Sequence, residues 1–346
     1  MFGKMMNNFY YGKSGKGDFK KTDLPRTRWQ LFWEMLRIRF SALCRLNLMT
    51  VAVWIPLIIV IGSLITNLIS IANVDAQYQL YLQDGTLSES FTEDSVAALE
   101  KLGATDEASL TALSSQMVSD TIMRALLFMI PAIAITGPVQ AGLAYITRNW
   151  SRDEHAFIWA DFKDAVKENW KQGLGVSAIT SVLPVILYVG YRFYGQQAAG
   201  SVFFMVPQML ILVIGVVWAL SLTFMYPMMV TYKVSFGQLI KNSMIMAVGR
   251  LPQTVGVRLA LLLPSAICVA VFFFTGSLIS LLVLGAYYIL IGFALSRFVC
   301  ASYTNGVFDR FINSRMEGVQ VNRGLATEDE EDEEEEAEEE KQNIPQ

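Results

Sequence analysis

Six carboxylates in one stretch, Asp84, Glu89, Glu93, Asp94, Asp106 and Glu107, are the first groups in this sequence that could do chemistry, because paired carboxylates can act as acid and base in glycoside hydrolysis. The segment that carries them, residues 75–120, is 46 residues long and too short for a core of its own. They therefore read as helix-terminus and solvating charges, with Thr92 and Thr105 as N-caps and Gly103 as a helix stop. Gly12-Lys13-Ser14 resembles the end of a phosphate-binding loop, but the glycine required five residues upstream is Asn7 and no apolar strand precedes it. His155 is the only histidine, and Cys44, Cys268 and Cys300 are too scattered for a metal pair. No apolar segment holds a Ser/Lys, paired Asp or His/Glu constellation. The expectation is a protein without catalytic residues, metal or cofactor, and not an enzyme.

The remaining polar chemistry lies beside prolines. Seven of the ten prolines fall in apolar segments, where a proline removes a backbone hydrogen bond and kinks the helix. Pro138 and Pro227 are read as hinges bordering a cavity, with Gln140, Tyr145, Thr223 and Tyr226 supplying amide, hydroxyl and aromatic surface. Gly137 and Gly142 leave room for close backbone approach beside the first hinge. Such groups suit a neutral ligand such as a sugar, and they equally suit ordinary helix packing.

The elements that must position these residues are membrane helices. Six stretches, Leu48 to Ile71, Ala125 to Ile146, Leu174 to Tyr191, Val202 to Tyr232, Val255 to Phe274 and Gly276 to Cys300, approach or exceed the ~20 residues needed to cross a bilayer. The last two are separated at Thr275-Gly276-Ser277, which puts Arg258 and Arg297 at inner ends with their heads at the interface. The fold class is all-α, a polytopic membrane protein of six transmembrane helices with cytoplasmic amphipathic elbow helices. Ten Lys and Arg residues precede the first span, whereas residues 75–120 hold Lys101 alone among nine carboxylates. The positive-inside bias places both termini in the cytoplasm and residues 75–120 outside.

Three regions follow. Residues 1–47 form a basic cytoplasmic segment without a cleavable signal, and Trp29, Phe32, Trp33, Leu36, Phe40 and Leu43 give it an amphipathic helix for the inner headgroup layer. This helix either binds anionic lipid or sets the entry angle of the first span. Residues 48–300 are the transmembrane domain. Residues 301–346 are a cytoplasmic extension, in which the polyacidic tail 328–346 carries −11 against +7 on the remainder and is expected to be disordered.

A repeat organises the inner side. Phe162-x3-Val166-Lys167 and Phe236-x3-Ile240-Lys241 each follow a proline-bearing span, within amphipathic stretches Phe157 to Trp170 and Phe236 to Met246. Phe162, Lys167, Trp170, Phe236 and Lys241 either belong to interfacial elbows or are candidates for docking an import ATPase or other transporter subunits. The Glu-Ala-Ala loop of ATP-driven permeases is missing, since Met246-Ala247-Val248-Gly249 has no glutamate. Lipid is the other expected partner, and nucleic acid is not.

Arg45-Leu46-Asn47-Leu48, Gly137-Pro138-Val139-Gln140-Ala141-Gly142-Leu143, Thr147-Arg148-Asn149-Trp150, Asn169-Trp170-Lys171-Gln172 and the patch from Pro227 to Ser243, with Met1-Phe2-Gly3 and Phe9-Tyr10 at the amino end, resemble the YesL-type family of bacterial membrane proteins. The resemblance implies a Gram-positive-type plasma membrane near carbohydrate-uptake and glycoside-degrading systems, and implies no activity. The long outer loop and the acidic tail depart from the family pattern. Two functions are expected: an accessory or permease-like component of carbohydrate uptake, or a non-transporting scaffold or regulator that assembles other proteins.

Overall fold

A computed structural model describes residues 25–325. The polyacidic tail 328–346, the Gly12-Lys13-Ser14 sequence and the first ten residues of the family resemblance lie outside the described residues. Within them the chain is helical and holds no named strand, and six helices are long and apolar enough to cross a membrane. The all-α polytopic class is therefore what the structure shows.

Helix α1 (Arg28–Thr50) runs through a short turn into α2 (Ile55–Asp84). A small α3 (Glu93–Lys101) precedes α4 (Glu107–Ala134), and α5 (Thr136–Trp150) follows after a single residue, Ile135. Next come α6 (Ala160–Ala198), α7 (Met205–Thr231), α8 (Phe236–Gly249) and α9 (Leu251–Thr275). Gly276, at φ +64°, reverses the chain into α10 (Leu278–Tyr287), and a π-turn at Tyr288–Gly292 leads into α11 (Phe293–Phe311). The tight reversal at Gly276 needs the left-handed backbone that glycine alone adopts without strain.

The segment expected as one second span, Ala125 to Ile146, is two helices. Pro138 sits in the first turn of α5, where its missing N–H would have had no intrahelical acceptor, so it begins a helix instead of kinking one. Pro227 does lie inside α7. Helix α5 is the centre of the bundle: 11 of its 15 residues are buried, against α6 and α7 on one side and α1 and α11 on the other. Lipid and interior are equally apolar, so helices associate in membranes through close packing of small residues. Gly137 shows this directly, because a Cβ there would lie 2.2 Å from the Gly173 carbonyl oxygen and 2.3 Å from Ser177 Oγ. Ser177 Oγ in turn donates to the Ala134 carbonyl at 2.7 Å, pinning α6 to the end of α4.

Of the two expected elbows, the first is not a separate helix. Residues 160–198 are one unbroken helix, so Phe162 belongs to the same rod as the third span. No proline or left-handed residue lies between Phe162 and Leu174 to separate an elbow from the span. Helix α8 is separate, and Ser235 caps its start with Gln238 in a reciprocal pair. In α1 the residues turned inward are Leu31, Met35, Leu43, Leu46 and Asn47, while Trp29, Trp33 and Phe40 are exposed. Phe32 stacks on Phe298 with ring centroids 5.6 Å apart. The helix is thus docked on α11 by a stripe adjacent to the one its aromatic residues suggested.

Residues 75–120 also differ from expectation, since they do contribute to a small core. Tyr78, Phe91, Val96, Leu99, Ala104 and Leu110 bury one another, and Tyr78 donates its hydroxyl to the Ala104 carbonyl. The physical reason is that α2 and α4 continue past their most apolar stretches and supply two walls that the loop alone lacks. Thr92 caps α3, and Asp106, not Thr105, caps α4 by accepting from the Ser109 amide at 2.7 Å. The Asp106 carboxyl is held below its usual range first by that backbone N–H.

The packing at Gly137 yields a direct test. Gly137→Ala should destabilise the protein in mild detergent by about 2 kcal/mol, because the clash is with backbone and cannot be relieved by a rotamer. Gly256→Ala in α9, where no atom lies within 4 Å of the added carbon, should be neutral or stabilising by up to about 1 kcal/mol. Thermal unfolding of both variants checks the difference; equal behaviour would refute the tight α5–α6 contact.

Candidate functional site

The six residues proposed to border a cavity occupy α5 and α7. Thr223, Tyr226 and Pro227 are fully buried on α7, and Gln140 is buried on α5 while Pro138 and Tyr145 are half-buried. They do not form one lining. Tyr226 packs in the cluster that includes Ala141, Ala144, Phe224 and Phe308, whereas Tyr145 packs with Leu143, Ile146 and Trp150 in a second cluster. Gln140 donates to Thr136 Oγ1 at 3.1 Å, and its buried Oε1 has no hydrogen-bond partner.

Two residues that the sequence placed at the interface belong to this site. Arg258 Nε donates to Thr223 Oγ1 at 2.8 Å, and the Arg297 guanidinium lies 4.5 Å from the Tyr226 ring centroid. Both arginines are half-buried and turn against α7, so their side chains pack on protein groups where the sequence suggested stems lying along lipid. The cation–π contact and the hydroxyl acceptor compensate part of the cost of removing the charges from water. Neither arginine has a carboxylate partner among the described residues, and Arg258 Nη2 is buried without a hydrogen bond. Guanidinium groups without an acidic partner among the described residues favour oxyanions, although neither arginine lines the cleft between α1, α9 and α11. The signal available in the sequence was that both sit in stretches otherwise free of charge; helical phase toward α7 was not legible.

The docking candidates are arranged more simply. The Phe162 ring fills the space beside Gly142, and the Phe236 ring fills the space beside Gly175. Gln172 donates to the Val234 carbonyl at 2.8 Å, tying the start of α6 to the turn before α8. On this fixed base Lys167, Trp170 and Lys241 remain exposed.

A polar network closes the same end of the bundle. Asp309 on α11 is buried and accepts from Arg28 and from Asn313, which accepts from the Tyr232 hydroxyl at 2.7 Å. Asn305 donates to Ser151 Oγ at 2.6 Å, and Glu154 accepts from Arg323 at 2.8 Å. Burial pulls the Arg148 guanidinium below its usual pKa, and neighbouring Arg152 adds to the effect. These are structural contacts, since each group faces another of the same network. Among the described residues no cluster of three or more His, Cys, Asp or Glu could hold a metal ion, and the three cysteines are free.

The Arg258 contact makes a prediction. Thr223→Val removes the hydroxyl and leaves a second nitrogen of a buried cation unpaired, which should cost about 1–3 kcal/mol. Arg258→Met alone should cost less, and adding Thr223→Val to it should cost little more. Additive losses in this double-mutant cycle would show that the two side chains do not interact.

Comparison with known proteins adds one likeness. No curated protein and no solved structure matches the chain. Residues 122–191 are similar to the family described as "Protein of unknown function, DUF624", the family to which YesL-type proteins belong. The matched stretch spans the end of α4, all of α5 and most of α6, and so contains the Gly137–Gly173 contact, Gln140, Tyr145, Phe162, Lys167 and Trp170.

Proposed function

We propose that this membrane protein is an accessory component of carbohydrate uptake that binds partner proteins and does not itself form the conduit. The observation that carries the reading is the fixed base under Lys167, Trp170 and Lys241. Phe162 and Phe236 are seated against glycines of α5 and α6, and Gln172 joins the two segments, so the exposed cationic and aromatic groups are held on a rigid surface. By contrast, the expected path residues Gln140, Thr223, Tyr226 and Pro227 are packed among neighbouring helices. The carbohydrate setting rests on the resemblance to the YesL-type family. A permease-like role is the second reading, favoured by the cations Arg258 and Arg297 held against α7.

In this reading both termini are cytoplasmic in a bacterial plasma membrane, and the docking surface faces a cytosolic ATPase or the inner side of other transporter subunits. Purification from the native membrane in mild detergent should recover a sugar-import ATPase or another subunit of that importer. The double variant Lys167→Glu/Lys241→Glu should lower recovery of that partner roughly tenfold, equivalent to about 1.4 kcal/mol, with unchanged protein in the membrane. Sugar uptake by the purified protein alone in vesicles would instead establish the permease-like reading.

Topology is tested separately. In a variant lacking the three native cysteines, Thr86→Cys should react with an impermeant thiol reagent in intact cells and Ser14→Cys should not. The reverse pattern would invert the orientation and place Lys167 and Lys241 outside, away from any cytosolic ATPase.

A further inference from the structure

A cleft of about 500 Å³ opens between α1, α9 and α11, at the end of the bundle where α9 begins and α11 ends. Arg28, Arg250 and Arg310 line it together with Trp29, Val257 and Val299, and among the described residues no carboxylate contributes to its walls. The three cations are not equivalent. Arg28 is paired with Asp309 and also donates to Asn322 at 2.9 Å. Arg250 and Arg310 have no acidic partner among the described residues and approach the same ring, Phe311, at 5.5 and 5.7 Å from its centroid. Two like charges are thus gathered at one ring, and the Arg250 Nε is buried with no hydrogen-bond acceptor.

We propose that this cleft binds one anionic phospholipid, with the headgroup phosphate between Arg250 and Arg310 and an acyl chain along Val257 and Val299. Charge complementarity fixes the headgroup end, because two unneutralised guanidinium groups favour a phosphate oxyanion. Geometry fixes the tail end. Val257 lies seven residues into the membrane helix from Arg250 and Val299 lies eleven from Arg310, or about 10 and 16 Å along the axes. The cleft therefore passes from cationic to apolar in the direction that a lipid passes from phosphate to chain. Trp29 is 67 % exposed at its mouth, the amphipathic position that tryptophan takes at a membrane boundary. An acidic peptide would satisfy the arginines but leave the valine walls without use. The site is distinct from the Lys167 and Lys241 surface and does not depend on a transport role. Basic pockets between helices at the membrane boundary are the general form of anionic-lipid sites.

The full-length protein in an uncharged detergent tests the proposal by thermal unfolding with phosphatidylglycerol, phosphatidylcholine or inorganic phosphate added. Phosphatidylglycerol should raise Tm by about 3 °C or more, and phosphatidylcholine and phosphate should each give less than about a third of that. Arg310→Gln, an exposed position, should reduce the shift without lowering the lipid-free Tm, and Arg250→Gln/Arg310→Gln should abolish it. Ser302→Asp, which puts a carboxylate in the cleft while leaving both arginines, should abolish it too. Equal shifts with the two lipids, or a shift that survives the double variant, would overturn the proposal. An equal shift with phosphate would assign the cleft to a free anion instead. If phosphatidylglycerol acts only after residues 328–346 are deleted, the acidic tail is the occupant and the lipid proposal fails.

Discussion

The contact on which the arrangement rests is the close approach of α5 to α6 at Gly137 and Gly173. In a bilayer there is no gain in moving an apolar side chain from lipid to a helix interface, so stability must come from dispersion contacts at short range and from satisfied polar groups. Absence of a side chain at Gly137 lets the two backbones meet, and Ser177 then reaches the Ala134 carbonyl across the joint. With α5 held there, its buried faces organise α7, α11 and α1 around it. The outer helices carry little interior. Val202, Phe203, Phe273 and Phe274 are at least three-quarters exposed, as residues that contact lipid should be.

Polar contacts make the second tier. Asn47 on α1 is fully buried, and its amide donates to the carbonyls of Tyr288 and Ile289 while its oxygen accepts from the Ala294 amide. Those are backbone groups left over where the helix widens into the π-turn between α10 and α11, and in lipid they would be costly without a partner. One asparagine therefore licenses the irregular turn and fixes α1 against it. Arg28 with Asp309 does the same at the other end of α1. Between these two ties lies the stripe from Leu31 to Leu46 that holds α1 against its neighbours, and beside the Arg28 end lies the cleft with α9 and α11.

Arginine is used in three ways in this bundle. Arg28 and Arg323 are neutralised by acids at the network around Asp309 and Glu154. Arg258 and Arg297 are held against α7 by a hydroxyl and an aromatic face and have no acidic partner among the described residues. Arg250 and Arg310 gather at Phe311 beside an open cleft. The last four have no acidic partner among the described residues, and the cleft opens beside the Phe311 pair. That difference separates a buried polar patch, which shapes the interior, from a surface able to take a ligand.

The sequence alone determined the all-α class and the six spans, because uncharged runs of membrane length have no other stable form when backbone hydrogen bonds must be met within the segment. It also showed the reversal at Gly276 and the importance of the Gly137 region, since those depend on local residue type. Only the tertiary structure decided that Pro138 starts a helix, that Phe162 belongs to the rod of the third span, and that Tyr145 and Tyr226 lie in different clusters. Only it turned Arg258 and Arg297 against α7, paired Asn47 with a turn about 240 residues away, and gathered Arg250 and Arg310 at one ring. In an aqueous protein the apolar stripe marks the buried face, but in lipid nearly every face is apolar and the stripe is lost. Which side of each helix meets its neighbour is then set by small residues and polar partners far apart in the chain, and that information exists only once the helices are packed.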